Sequence, residues 1–344
     1  MTVVGAGVVG SAVALDLARR GVAVELVEAQ PEPGLAASGT NSGVLHTGFD
    51  SVPGDLETDL IIRAAALRDP VLDALGVPVM RCGAVMRGSG VDRLVENARL
   101  NGVEVRLLGD DVLEVPGEAV TDPVAFTVAL AAAAERHGAK VRTSQRFDAI
   151  AVGRVVVNCA GLHADDVARL YGDDSFEVYP RKGEFVVFDP PEPLDRILLP
   201  VPTKRTKGVL VFPTLDGHVV AGPTAVDGED KDDWSVRPEA RDEILPKAVA
   251  MWPPLEDAEP IAAYAGLRPA GRGVNYVIGR SRVVPDLVNV AAIRSTGLTA
   301  SLGIAEYVCE ILLGTPLPEP APLLPGPPVP TGEWWRRTAE LHAA

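Results

Sequence analysis

Clustered cysteines are missing from this sequence. Its three cysteines, Cys82, Cys159 and Cys309, stand far apart with no Cys-x-x-Cys pair, which argues against a zinc or iron–sulfur site and against a disulfide framework. Positive charge is scarce too: 32 Lys and Arg face 47 Asp and Glu, a formal net charge of −15. That balance argues against nucleic acid or an anionic membrane surface as partner, although local cations can still gather a small anion. No apolar run reaches the ~20 residues of a transmembrane helix, so no integral membrane segment is expected. No internal repeat is visible. The expected location is the cytoplasm, with a peripheral position at a membrane as the alternative. With 344 residues, the chain is long enough for a large core and two domains.

What is present starts at the first residue. Met1-Thr2-Val3-Val4 leads into Gly5-Ala6-Gly7-Val8-Val9-Gly10, and Glu28 and Ala29 follow Gly10 by eighteen and nineteen positions. The apolar start predicts a strand rather than a signal peptide. Residues 8–20 predict a helix closed by Arg19, Arg20 and Gly21, and 22–27 a second strand ending at Glu28. In this order the glycines fit a dinucleotide fingerprint. Gly5 allows a tight turn, Gly7 lets backbone approach a pyrophosphate, and Gly10 lets helix pack on strand. The amides around Val8 and Val9 would face the pyrophosphate at the helix N-terminus, and Glu28 would accept from a ribose hydroxyl. A purely structural Gly-rich turn is the competing explanation.

The stretch 37–48, Ala-Ser-Gly-Thr-Asn-Ser-Gly-Val-Leu-His-Thr-Gly, is small and polar. Gly39, Gly43 and Gly48 let backbone pass close to a flat ligand, and Ser38, Thr40, Asn41 and Ser42 offer hydrogen bonds to phosphate and ring edges. A flexible surface loop would share that composition. Against it, Val44-Leu45 interrupts the polar run just before His46.

This run resembles the flavin-contacting loop of the D-amino-acid-oxidase-like flavoprotein superfamily. It looks most like type II glycerol-3-phosphate oxidases and dehydrogenases, with L-2-hydroxyglutarate oxidases next. Val155-Val156-Val157-Asn158-Cys159-Ala160-Gly161, the stretch 208–227 and Ser295-Thr296-Gly297-Leu298-Thr299-Ala300-Ser301 are similar to later motifs of that group. The resemblance implies an α/β fold, with a Rossmann-like FAD-binding domain interleaved with an α+β substrate domain on a large, mostly antiparallel sheet. The expected boundaries are 1–80, 118–172 and 268–315 for the FAD domain, 81–117 and 173–267 for the substrate domain, and 316–344 for a Pro-rich tail. It also implies FAD contacts from Ser38 to Val44 and from Ala160, Gly161, Gly297, Leu298 and Thr299. Segments 87–120 and 143–154 look trimmed, and the first strand is short.

Oxidising a secondary alcohol needs a base and an anchor beside the flavin. His46 is the expected base, since an imidazole titrates near ~6.5; a histidine that only hydrogen-bonds the cofactor is the alternative. His137, His163, His218 and His342 read as surface or structural. Arg268, in Gly-Leu-Arg-Pro, is expected on the substrate anion, with a structural salt bridge as the alternative. Lys207 matches a substrate-facing lysine of the glycerol-phosphate branch, although Lys204 and Arg205 beside it also suit a solvated loop. Ser295 matches a small polar residue beside the substrate, and Arg294 adds charge there. The resemblance implies hydride transfer from sn-glycerol 3-phosphate to flavin N5, giving dihydroxyacetone phosphate. L-2-hydroxyglutarate, an amino acid or amine, or no catalysis at all remain open. Oxygen, a quinone or a redox protein could each accept the electrons. The tail ends in Trp334-Trp335-Arg336-Arg337, either a docking element or a strap against its own chain.

Overall fold

Two layers of sheet position everything that follows in this computed structural model, which describes residues 1–202, 208–329 and 332–341. β1 (Thr2–Val4) is short and fully buried. It pairs in parallel with β2 (Glu25–Val27) on one side and with Val156–Asn158 on the other. Lys140–Arg142 extends this sheet beyond β2, and Leu287–Ala291 extends it beyond Val156–Asn158. Val277–Arg280 closes the far edge antiparallel, giving six strands. Between β1 and β2 runs helix α1 (Val8–Arg19), packed against the helices Pro123–Arg136 and Gly297–Leu313. Gly10 makes that approach possible: a Cβ there would lie 1.9 Å from the Gly5 carbonyl oxygen.

The second sheet has nine strands. Its longest pair, Val178–Asp189 and Glu259–Gly271, runs antiparallel with one irregularity at Val187/Phe188. Only the pairing of Ile197–Leu199 with Ala84–Arg87 is parallel, so the sheet is mostly antiparallel, as expected. A third, small sheet joins β3 (Val44–Leu45), Ala119–Thr121 and Val79–Met80. It explains the apolar interruption of the polar loop: Val44 and Leu45 are strand residues buried against Val120 and Ala119. Between β3 and Val79–Met80, helix α2 (Leu56–Leu75) packs on Gly297–Leu313.

Two elements start later than expected. Residues 233–252 read as mostly helical with interruptions, and the helix occupies Ala240–Met251. Upstream, Asp233 captures the Ser235 amide and hydroxyl, and Asp230 captures the Asp232 amide; such local bonds compete with a helix. The second strand begins at Glu25 rather than at 22.

The Pro-rich tail is a strap on its own chain. Ala321 N donates to Arg19 O at 2.8 Å, and Gly326 N donates to Ala74 O at 3.0 Å. The tail then ends in the helix Trp334–Leu341, which packs on Glu259–Gly271 with Trp334 and Trp335 each 1% exposed.

Candidate active site

A cleft of about 620 Å³ opens at the carboxyl end of β1, within the size range of small-molecule sites. Gly5, at φ +95°, makes the turn out of β1. A Cβ on it would lie 2.5 Å from the Cys159 carbonyl oxygen. Gly5, Gly7, Val8 and Val9 line one wall, Ala160 and Gly161 another. The N-terminus of α1 faces the cleft with no acidic residue in its first turn. So does the N-terminus of Gly297–Leu313, through Gly297 and Leu298. Two helix dipoles with their positive ends in one cleft favour an anionic ligand. Glu28 and Ala29 lie along the cleft at the end of β2. The Glu28 carboxylate accepts from Ala6 N at 2.6 Å and Gln30 N at 2.8 Å, bonds the sequence did not announce. A cradle too close for any Cβ, two open helix ends and an acidic residue lining the cleft at the end of β2 together suit FAD.

The polar loop divides its labour. Ser38 lines the cleft and its hydroxyl accepts from Val8 N at 2.9 Å. Asn41 lines both this cleft and a second cavity, which Thr40 and Ser42 also line. Gly43 and Val44 line neither. Gly43, at φ +77°, brings the chain so near Thr121 that a Cβ would lie 2.3 Å from its carbonyl oxygen. Thr299 also lines neither: its hydroxyl accepts from His46 N at 3.1 Å and donates to Val44 O at 3.4 Å. These three residues hold β3 in place.

His46 emerges from β3 into the second cavity, of about 330 Å³. Its side chain is 20% exposed, and Nδ1 lies 2.8 Å from Glu118 Oε2. Glu118 is completely buried and its other oxygen accepts from Thr47 N at 2.7 Å and Thr47 Oγ1 at 2.9 Å. Buried Arg68 donates to His46 O at 3.1 Å. Burial pushes the Arg68 pKa down, and the negative charges of Glu118 and Asp69 oppose that shift.

Three guanidinium groups line the same cavity. Arg181 is paired with Asp227, and Arg294 with Glu57 at 2.6 Å. Burial by itself would raise the Glu57 pKa, yet Arg294, Asn275 and Thr296 hold it below the usual carboxylate value. Arg268 differs. Its Nε donates to Arg181 O at 3.0 Å, and Nη2 donates to Lys182 O at 2.9 Å and Thr224 O at 2.8 Å. No carboxylate pairs with it among the described residues. Burial, with the charge of Arg181 next, pushes its pKa down to about 10, against the opposing charge of Asp227. Ser295 also lines this cavity, and its carbonyl accepts from Asn41 Nδ2 at 3.3 Å. Lys207 lies outside the described residues. Arg294 and Asn41, with Ala37, join the two spaces.

Sequence reasoning passed over Glu118 and Glu57. Glu118 left one signal, a lone carboxylate in Pro-Gly-Glu-Ala-Val-Thr, where every neighbour is small or apolar. Glu57 left none, because an acidic residue in the first turn of a helix is ordinary.

Known proteins resemble this chain in sequence and fold. A glycerol 3-phosphate dehydrogenase of Caloramator mitchellensis is 28% identical, over 91% of this chain and 73% of that protein. An L-2-hydroxyglutarate dehydrogenase of Arabidopsis thaliana is 28% identical over 90% of this chain and 83% of the relative. The solved structure of a dithionite-reduced L-alpha-glycerophosphate oxidase from Mycoplasma pneumoniae with FAD bound superposes with a TM-score of 0.87 at 25% identity. That match covers 96% of this chain and 98% of the other. The family model described as FAD dependent oxidoreductase matches residues 1–311, nearly all of the two sheets and their connecting helices, and the chain belongs to that family.

Proposed function

We propose that this enzyme oxidises the secondary alcohol of a small anionic compound, first of all sn-glycerol 3-phosphate to dihydroxyacetone phosphate. One observation carries the reading: His46 and Arg268, a half-buried guanidinium with no carboxylate partner among the described residues, line one cavity that adjoins the cleft of the nucleotide fingerprint. FAD, when bound, supplies a two-electron acceptor whose N5 takes the hydride from the alcohol carbon. His46 takes the hydroxyl proton. Arg268 holds the anion with the one guanidinium nitrogen that the carbonyls of Arg181, Lys182 and Thr224 leave over. Ser295 and Asn41 orient the bound molecule from the side shared with the cleft. Phe49, Leu199 and Leu210 in the cavity wall exclude water and so strengthen each of these contacts. Labour divides along the two layers: the six-stranded sheet, with residues 1–80, 118–172 and 268–315, carries the cofactor, and the nine-stranded sheet roofs the substrate.

The names of the Caloramator and Mycoplasma relatives support a phosphate ester. L-2-hydroxyglutarate is the second reading, favoured by Arg181 in the same wall, a further cation for a further carboxylate. An amine substrate suits the site less, since a cationic group would face Arg268. Anaerobic bleaching of the flavin absorbance by glycerol 3-phosphate, L-2-hydroxyglutarate and an amino-acid panel tests this. Bleaching by glycerol 3-phosphate alone is the expected result. Bleaching by an amino acid alone overturns the substrate class, and bleaching by none of them overturns the activity.

A further inference from the structure

We infer that Glu118 is a positioning residue that fixes the tautomer of His46, keeping the proton on Nδ1 and leaving Nε2 bare toward the substrate cavity. The inference rests on the reading of His46 as the base and deepens it.

The argument is one of donors and acceptors. A carboxylate only accepts, so at 2.8 Å from Glu118 Oε2 the Nδ1 of His46 must be the donor. A neutral imidazole carries one N–H, so Nε2 then holds the lone pair. Among the described residues Nε2 makes no hydrogen bond, and the ring lines the cavity of about 330 Å³. The carboxylate cannot rotate away, because its other oxygen accepts from both the backbone and the hydroxyl of Thr47. The backbone around it is equally fixed. Leu45 pairs with Ala119 across the small sheet, Thr299 holds His46 N and Arg68 holds His46 O. Every polar contact of this histidine except the one at Nε2 is thereby used for orientation. Glu118 is completely buried and lines neither the cleft nor the cavity, so it reaches the substrate only through His46. In the reaction the substrate O–H bond breaks, its proton forms a bond at Nε2, and the electron pair stays on oxygen to become part of the carbonyl. Nδ1–H remains with Glu118 throughout, and the ring cation that forms is stabilised by the carboxylate.

The substitution Glu118→Gln sharpens the test. An amide has one acceptor atom where the carboxylate has two. The Thr47 backbone N–H is a fixed donor and claims the amide oxygen. The amide N–H₂ then faces Nδ1, which has to become the acceptor, and the proton moves to Nε2. Glu118→Gln therefore inverts the tautomer with almost no change in shape, whereas Glu118→Asp keeps an acceptor-only group and preserves it.

Nitrogen-15 NMR of the histidine-labelled, FAD-loaded protein reads the tautomer directly. The five histidines leave few signals, and His46 is assigned by its loss in His46→Asn. At a pH where the ring is neutral, the unsubstituted protein should show Nδ1 protonated and Nε2 bare. Glu118→Gln should show the reverse at unchanged FAD content, with anaerobic flavin reduction by glycerol 3-phosphate slowed ~10²- to 10⁴-fold and its apparent Kd unchanged. Glu118→Asp should recover the original NMR pattern. An Nε2–H signal in the unsubstituted protein overturns the inference, even if the glutamine variant does not fold. A glutamine variant that keeps Nδ1–H, or keeps its reduction rate, overturns it as well. If no substrate reduces the flavin, the proposed activity fails, while the tautomer still decides the role of Glu118.

Discussion

Replacing Arg268 by methionine should cost both substrate affinity and some stability, and the structure supplies both magnitudes. Arg268 sits in the folded chain with its pKa pushed down from the usual arginine range to about 10, chiefly by burial. A depression of that size corresponds to on the order of 3 kcal/mol against the charged form. Both folded and unfolded chains keep this guanidinium charged below about 10, so the penalty is fully present at neutral pH and fades only as pH rises through the folded value. Methionine removes it. Against that gain stand three lost hydrogen bonds to the carbonyls of Arg181, Lys182 and Thr224. From a charged donor such bonds contribute roughly 1.5–3 kcal/mol each, so together they exceed the gain by a few kcal/mol. Ligand binding has no such compensation. Removing one partner of a buried charge pair costs about 2–5 kcal/mol, roughly thirty- to several-thousand-fold in Kd. Thermal unfolding and FAD content serve as controls. The concentration dependence of anaerobic flavin bleaching by glycerol 3-phosphate gives the apparent Kd. An unchanged Kd refutes the anchoring role, and a collapse in melting temperature with unchanged Kd makes Arg268 a structural clamp on the sheet.

His46→Ala should keep its FAD, because the ring lines the second cavity rather than the cleft, yet reduce its flavin ~10²- to 10⁴-fold more slowly; equal single-turnover rates would remove His46 as base. Gly10→Ala places a Cβ 1.9 Å from the Gly5 carbonyl oxygen, so the purified variant should lack flavin absorbance; full occupancy would mean that α1 can back away from β1 at little cost. Trp334→Ala should lower stability by about 3–5 kcal/mol and loosen the Thr338 hydroxyl bond to Gly39 O at the back of the cofactor loop. Trp334→Phe should stay near the unsubstituted protein, because the buried Nε1 has no partner and its removal offsets the lost area. Calorimetry separates the two, and equal melting temperatures would contradict the strap.

Local chemistry wrote the cofactor end of this protein into its first thirty residues. Gly5, Gly7 and Gly10 can only serve a turn and a close helix, and the strand–helix–strand order around them has few other uses. The Pro-rich tail was legible for the same reason, since proline acts on the backbone where it stands. The late start of the helix Ala240–Met251 was not legible, because the competing bonds of Asp230 and Asp233 are invisible to periodicity. Arg268 was singled out by its motif, but its lack of a carboxylate partner emerged only where two long strands set it opposite Arg181. Arg294 read as spare positive charge until Glu57, 237 positions away in sequence, was found to pair with it. Glu118 had no meaning until the small sheet carried it across 72 positions to His46. Sequence alone therefore determined which residues could hold the nucleotide, because turns and helix ends are local. Tertiary structure alone decided how His46 is held and that Arg268 meets no carboxylate among the described residues, because hydrogen-bond partners and burial are set by chain segments that meet only in the folded protein.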